Sequence, residues 1–404
     1  MGTPSTATLR SLTRLARIAV AAGAVLAVVA TALPATSASS APSHQWRFPG
    51  ANGRLAYSGD DGTDYEIFTI NPNGGGRQRV TDNTDDDSYP AYSPKAKWIA
   101  YEGYDGTDNE IYLIKANGGG RRQLTDNASD DYNPAWSPNG KRIIYSHDDG
   151  TDYELVTVRT DGGGRRQLTD NTTDDYDAVY SPSGTQIAFI GTDATDSDVY
   201  TMNANGGGRH AVTDNTSPEY GPSYSPGGKW LVYYLYDGND YELVTVKVDG
   251  GGRRQLTDNT TDDYDAVYSP SGTQIAFIGA DATDTDVYTM NANGGGRHAV
   301  TDNTSSEYGP SYSPGGKWLV YYLDDGNDYE LYAIKVNGGG RHQITDNDFD
   351  DEEPSWSPNG KRIAYDAYDG NDTEIYTIST TGGTRRQVTD NDTYDYDVDW
   401  GVGP

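Results

Sequence analysis

The residues with chemistry to offer are carboxylates, and they recur in two sets. One set is a loop with three acids in six residues: Asp61, Asp64 and Glu66, repeated as Asp105, Asp108 and Glu110, as Asp149, Asp152 and Glu154, as Asp325, Asp328 and Glu330, and as Asp369, Asp372 and Glu374. Hard cations such as calcium favour clustered carboxylate and carbonyl oxygens, so these trios are candidate metal ligands, although their spacing is not that of an EF-hand loop. A plainer reading stands beside it: Asp149-Gly150 makes a turn, Asp152 accepts turn N–H groups, and Glu154 pairs with an arginine. The second set is a single acid per repeat: Asp87, Asp131, Asp175, Glu219, Asp263, Glu307, Asp351 and Asp395. Eight carboxylates brought together repel unless a cation, protonation or a basic ligand compensates, which makes this set the candidate ligand-binding site.

Other chemistry finds little support. The five histidines, His44, His147, His210, His298 and His342, are scattered, and neither a nucleophile elbow, a His-Glu-x-x-His pair nor a phosphate loop occurs. With no cysteine there is no disulfide, thiolate nucleophile or zinc-thiolate site. A net charge of -31 opposes nucleic acid and anionic membrane surfaces and favours cations or basic partners.

The elements that must position these acids follow from a fixed period. Thr81-Asp82-Asn83 recurs with its first residue at Thr125, Thr169, Thr213, Thr257, Thr301, Thr345 and Thr389, always 44 residues on. Such a period, with short apolar runs and Gly-rich turns, marks a stacked or closed repeat. Within one unit, residues 134–137, 142–146, 154–158 and 165–169 read as four strands joined by turns, the make-up of a propeller blade. The second strand carries an aliphatic residue and then an aromatic two positions on (Leu55/Tyr57, Ile99/Tyr101, Ile363/Tyr365), the alternation of a buried strand face. The expected fold is all-β, a single eight-bladed β-propeller over residues 50–404. Its C-terminal strand, around Tyr396–Trp400, completes the N-terminal blade, with Trp46–Phe48 competing for the same place. Residues 161–248 and 249–336 differ at only seven of 88 positions, so a pair of blades has been duplicated.

Blade topology then sorts the charge. The loop between the second and third strands and the connection into the next first strand emerge on one face, and they carry five acidic columns in all eight units, forty of the 61 Asp and Glu residues. The second set of acids, just before the innermost strands, is expected to ring the mouth of the central channel. The arginine present in every unit (Arg77, Arg121, Arg165, Arg209, Arg253, Arg297, Arg341, Arg385) is expected on the opposite face.

The run Asn133-Pro-Ala-Trp-Ser-Pro-Asn-Gly-Lys-Arg-Ile-Ile-Tyr, followed by Asp-Gly-x-x-Glu and Gly-Gly-x-Arg-Gln-Leu-Thr, resembles the TolB-type WD-like propeller repeat. The likeness recurs in all eight units; Tyr180, Tyr224, Tyr268 and Tyr312 replace its Trp, and Ala178 and Ala266 its Pro. TolB itself is six-bladed and has an N-terminal α/β domain that is not seen here. The resemblance implies a propeller that receives a segment of a protein partner in the cell envelope. Arg10, Arg14 and Arg17 before an apolar run over 18–33 and the small residues 35–38 predict a signal peptide over 1–41, followed by a short lead-in over 42–49. The expectation is a secreted, monomeric scaffold that binds protein or peptide through its acidic face, with calcium as a candidate stabilising ion. The alternatives are a carbohydrate- or envelope-binding module, whose tyrosines would stack on sugar rings, and a metal-dependent lyase or hydrolase.

Overall fold

A computed structural model describes residues 50–403. The expected signal peptide, the lead-in over 42–49, and with them Trp46 and Phe48, lie outside the described residues.

Eight four-stranded antiparallel sheets follow one another along the chain. Blade 2 is typical: Asp87–Tyr92, Trp98–Tyr104, Asn109–Lys115 and Arg122–Gln123, paired in that order. The first strands of successive blades approach one another, so they form the inner wall of the ring. Strand bounds differ from the sequence reading at both edges of a blade. The first strand of blade 3 begins at Asp131 and its fourth is only Arg166–Gln167. The fourth stops early because Thr169 leaves the ladder, and its Oγ1 accepts from Leu155 N at 2.8 Å.

The period-2 pattern of the second strand reflects two different neighbours. Leu55 and Tyr57 pack with Ala364, Ile375 and Val388 of blade 8, whereas Ala56 on the other face joins Ile99, Tyr101 and Tyr112 of blade 2. Every blade is thus a layer between two others, and its core exists only through them.

Closure follows the expected route. Asp395–Val402 pairs antiparallel with Asn52–Asp60, including Leu55 with Trp400 and Gly59 with Asp395, and completes blade 1. The Trp400 side chain is 4% exposed and its Nε1 donates to Ser355 O at 3.0 Å, the same bond that Trp136 and Trp356 make to the preceding first strand. Trp400→Ala is expected to lower the unfolding free energy by about 3–5 kcal/mol, as for other buried Trp truncations. Tyr394→Ala, at a side chain 47% exposed, should stay within about 0.5 kcal/mol; guanidinium unfolding of the two variants checks both values.

Candidate functional site

The Thr-Asp-Asn triplet turns the chain from one blade's outer strand to the next blade's inner strand. Its Thr Oγ1 accepts a third-strand N–H in every blade, as Ile67 N to Thr81 Oγ1 at 2.8 Å. The Asn works in three directions. Asn83 N donates to Glu66 Oε1 at 2.6 Å, Asn83 Nδ2 donates to Asp87 Oδ2 at 2.7 Å, and Asn83 Oδ1 accepts from Asp85 N at 3.0 Å. Asp82, between them, is 84% exposed at its side chain.

That geometry corrects the expected position of the second acidic set. Asp87, Asp131, Asp175, Glu219, Asp263, Glu307, Asp351 and Asp395 are all 0% exposed. They sit inside the blades beneath the turn, and do not stand at the channel mouth, because the Asn amide and the neighbouring strand enclose them. A Cβ added to Gly103 would lie 2.5 Å from Asp87 Oδ1, which explains the glycine opposite this acid. Burial pushes the carboxyls of Asp175 and Asp263 up to about 6 and those of Glu219 and Asp351 up to about 7. The acid beneath is matched in length to its third-strand neighbour. Where Asp198 and Asp286 replace the usual third-strand Glu, Glu219 and Glu307 replace the usual Asp, so each buried pair keeps one long and one short side chain. Blade 3 alone among the described blades places a histidine on this acid, His147 Nδ1 lying 2.6 Å from Asp131 Oδ1.

The recurring arginine is also displaced from its expected face. Arg121 Nε donates to Tyr101 Oη at 2.8 Å, and its guanidinium lies 4.0 Å from the Tyr112 ring centre. Where phenylalanine stands in place of that tyrosine, at Phe189 and Phe277, Arg209 and Arg297 reach the buried Asp175 and Asp263 at 3.0 and 3.2 Å. Arg77 lines a groove with Asp60, Asp61 and Asn391, on the acidic side. Three arginines of the column thus pair with a buried acid, the third being Arg385 with Asp351 at 3.7 Å, while Arg77, Arg121, Arg165, Arg253 and Arg341 donate to a tyrosine hydroxyl.

Of the three loop acids only the first stays at the surface. Asp105 Oδ1 accepts from Thr107 N and Oγ1 at 3.0 and 2.7 Å, bonds that hold its carboxyl below the usual range. Asp108 is 6% exposed and Glu110 0%. One carboxylate oxygen from each of Asp105, Asp108 and Glu110 lies within 4.8 Å of the others, and so do those of Asp61, Asp64 and Glu66. Two trios outside the sequence-derived metal set converge equally closely, Asp193, Asp196 and Asp198, and Asp281, Asp284 and Asp286. Among the described residues, the trios beginning at Asp149, Asp325 and Asp369 are not brought together within that distance.

A further set of residues faces the axis, two positions after each buried acid. Tyr89, Asn133, Asp177, Gly221, Asp265, Gly309, Glu353 and Asp397 all have positive φ, between 51° and 60°. Each sits where the first-strand register jumps, as between Ser88↔Glu102 and Ala91↔Ala100 in blade 2, so every inner strand bulges there. The next residue is often proline (Pro90, Pro134, Pro222, Pro310, Pro354), tolerated because a bulge leaves that N–H out of the ladder. The bulge N–H of Asn133 goes to Glu102 Oε1 at 2.7 Å, and that of Asp397 to Asp366 Oδ2 at 3.1 Å.

Interactions that skip a blade show where these side chains converge. Asp265 feels Glu353 across the intervening blade of Gly309. The Tyr322 hydroxyl is held well above its usual range by burial first, then by Glu353, Glu352 and Asp265. Asp265 is exposed to water in the channel, and desolvation, with the Glu353 charge second, pushes its carboxyl up to about 6. Sequence reasoning passed over this column. Its signal was the run Asn, Asp, Gly, Asp, Gly, with Asp again at 397, the residue types that tolerate a left-handed backbone.

The TolB beta propeller domain model matches residues 34–179 and 177–403. Among curated proteins no match is found. Similar solved structures include an oligogalacturonate lyase in complex with manganese (14% identity, TM-score 0.58, 82% of this chain and 98% of that one). An oligogalacturonate lyase from Vibrio parahaemolyticus gives 15%, 0.59, 82% and 98%. A prolyl endopeptidase gives 13% and 0.60 over 78% of this chain, which spans only 50% of that one. At such identities these likenesses establish the fold alone. The match to the family model covers nearly all of the propeller, and the chain belongs to the TolB beta propeller domain family.

Proposed function

We propose that this propeller is an exported scaffold that takes a basic peptide segment of a protein partner into its acidic channel. The observation that carries the reading is the bulged column, which sets Asp177, Asp265, Glu353 and Asp397 toward the axis of a ring whose other axial positions are Tyr89, Asn133, Gly221 and Gly309. The two glycines leave room beside the acids, and the acids give the channel a negative charge that attracts a cationic guest. Extended basic peptide fits both features, because its lysines or arginines can address acids at several points around the wall. Arg10, Arg14 and Arg17 with the apolar run behind them support export; no helix among the described residues is long and apolar enough to cross a membrane. Calcium in the outer loops would stabilise such a scaffold without entering the channel.

A carbohydrate ligand is the second reading. It draws on Tyr104, Tyr236 and Tyr368, which occupy equivalent second-strand ends on the acidic side and are 36%, 38% and 39% exposed. Rings at these positions can stack on sugar faces.

A fluorescent peptide of alternating Lys and Gly is the probe that separates these. The combined variant Asp177→Asn, Asp265→Asn, Glu353→Gln and Asp397→Asn should weaken peptide binding at least about tenfold and flatten its salt dependence, since the charge term is what it removes. Unchanged affinity in a variant of unchanged melting temperature would overturn the peptide reading.

Binding should also depend on pH. The carboxyl of Asp265, which faces Glu353, Tyr234, Tyr264 and Tyr322, is pushed up to about 6 by desolvation and by Glu353. Below that pH it is neutral and the channel loses attraction for a cation; above it the charge is present. Peptide affinity is therefore expected to rise as pH goes from 5 to 7, at fixed salt, and Asp265→Asn should reduce that rise.

A further inference from the structure

The loop trios are not chemically equal, and the difference lies in one side chain of the fourth strand. In blade 1 that strand ends in Arg79. Its Nη1 lies 2.5 Å from Asp61 Oδ2, and its Nη2 lies 2.7 Å from Glu66 Oε1 and 2.6 Å from Asp82 Oδ1. A guanidinium therefore sits among three carboxylates. The equivalent residues in the other blades are Gln123, Gln167, Ala211, Gln255, Ala299, Gln343 and Gln387. The acids remain in all seven, and among the described residues no Lys or Arg forms an ion pair with the trios of blades 2, 4 and 6.

A second observation points into these clusters. Asp108 is 6% exposed and Asp284 8%, and no hydrogen-bond donor among the described residues reaches the buried Oδ2 of either. In blades 4 and 6 the same holds for Oδ1 of Asp198 and Asp286, each 2% exposed. A buried anionic oxygen with no donor is costly unless a cation meets it; Asp64 Oδ2 of blade 1, which Arg79 does not reach, is in the same state, so what Arg79 answers in blade 1 is the charge of Asp61 and Glu66.

We propose that the second-to-third-strand loops of blades 2, 4 and 6 are calcium sites, and that Arg79 is the protein's own cation in the corresponding place of blade 1. Calcium suits these loops better than magnesium, because it accepts an irregular set of oxygen ligands where magnesium demands a near-ideal octahedron. In each of the three trios one carboxylate oxygen per residue lies within 4.8 Å of the others. All donors are oxygen, and the protein leaves the outward side of each loop to water, which suits a surface module of about millimolar affinity.

This goes further than the calcium element of the scaffold reading and is independent of the channel, since it is measured without peptide. Native mass spectrometry and calorimetry of the full propeller in calcium chloride count the ions. The wild type should retain at least three. Arg79→Gln, which gives blade 1 the residue of its neighbours, should gain one ion, and Gln123→Arg should lose one by supplying blade 2 with its own cation. Asp108→Asn should likewise lose one. If Arg79→Gln fails to fold, Gln123→Arg still decides. No retained calcium in the wild type overturns the sites themselves. Retained calcium with counts unchanged in both charge-swapped variants overturns the role of Arg79, and neither result touches peptide capture in the channel.

Discussion

The ring depends on one knot tied eight times: an asparagine that bonds two buried carboxylates where the chain crosses from rim to axis. Its backbone N–H meets the third-strand acid and its side-chain amide meets the first-strand acid, as Asn127 does to Glu110 Oε1 at 2.6 Å and to Asp131 Oδ2 at 3.0 Å. Without it two anions would lie inside a blade with no donors, a destabilising arrangement at any pH where both ionise. The inward arginine and the glycine opposite the acid complete the knot, one by charge and the other by space. The paired exchange of Asp and Glu at the junctions between blades 4 and 5 and between blades 6 and 7 keeps the total length of each buried pair the same.

This dependence explains why the fold was legible and the site was not. Blade number, strand count and closure are consequences of the 44-residue period and of alternation in the second strand, and both are visible because each blade repeats the same neighbour contacts. The Asp87 column repeats as faithfully as any in the chain, and that fidelity belongs to the knot, which has to be the same at every junction. Ring position alone suggested a channel mouth. What sequence could not show was depth: whether an acid before an inner strand points along the axis or back under its own turn is decided by the bulge two residues later. The left-handed residues Asn133, Asp177, Gly221 and Asp265 carried that information, but as a backbone requirement and not as a chemical motif.

Symmetry is kept and broken at different radii. Rim and interblade positions vary little, to the point that two pairs of blades are nearly interchangeable. At the axis the eight bulges read Tyr, Asn, Asp, Gly, Asp, Gly, Glu and Asp, and the second-strand residues beside them run from Ser58 through Glu102 and Ile190 to Tyr234 and Asp366. A rim substitution is felt by one neighbour. A substitution at the axis reaches past the next blade, as Glu353 of blade 8 acts on Asp265 of blade 6.

The same principle separates the two acidic shells. In the outer loops each cluster is local, so its charge is answered within its own blade, as Arg79 answers Asp61 and Glu66 in blade 1. At the axis Asp265 and Glu353 interact across an intervening blade, so their charge is not confined to one blade. Charge that is balanced blade by blade stabilises the ring; charge shared between blades at the axis sets the potential of the whole channel.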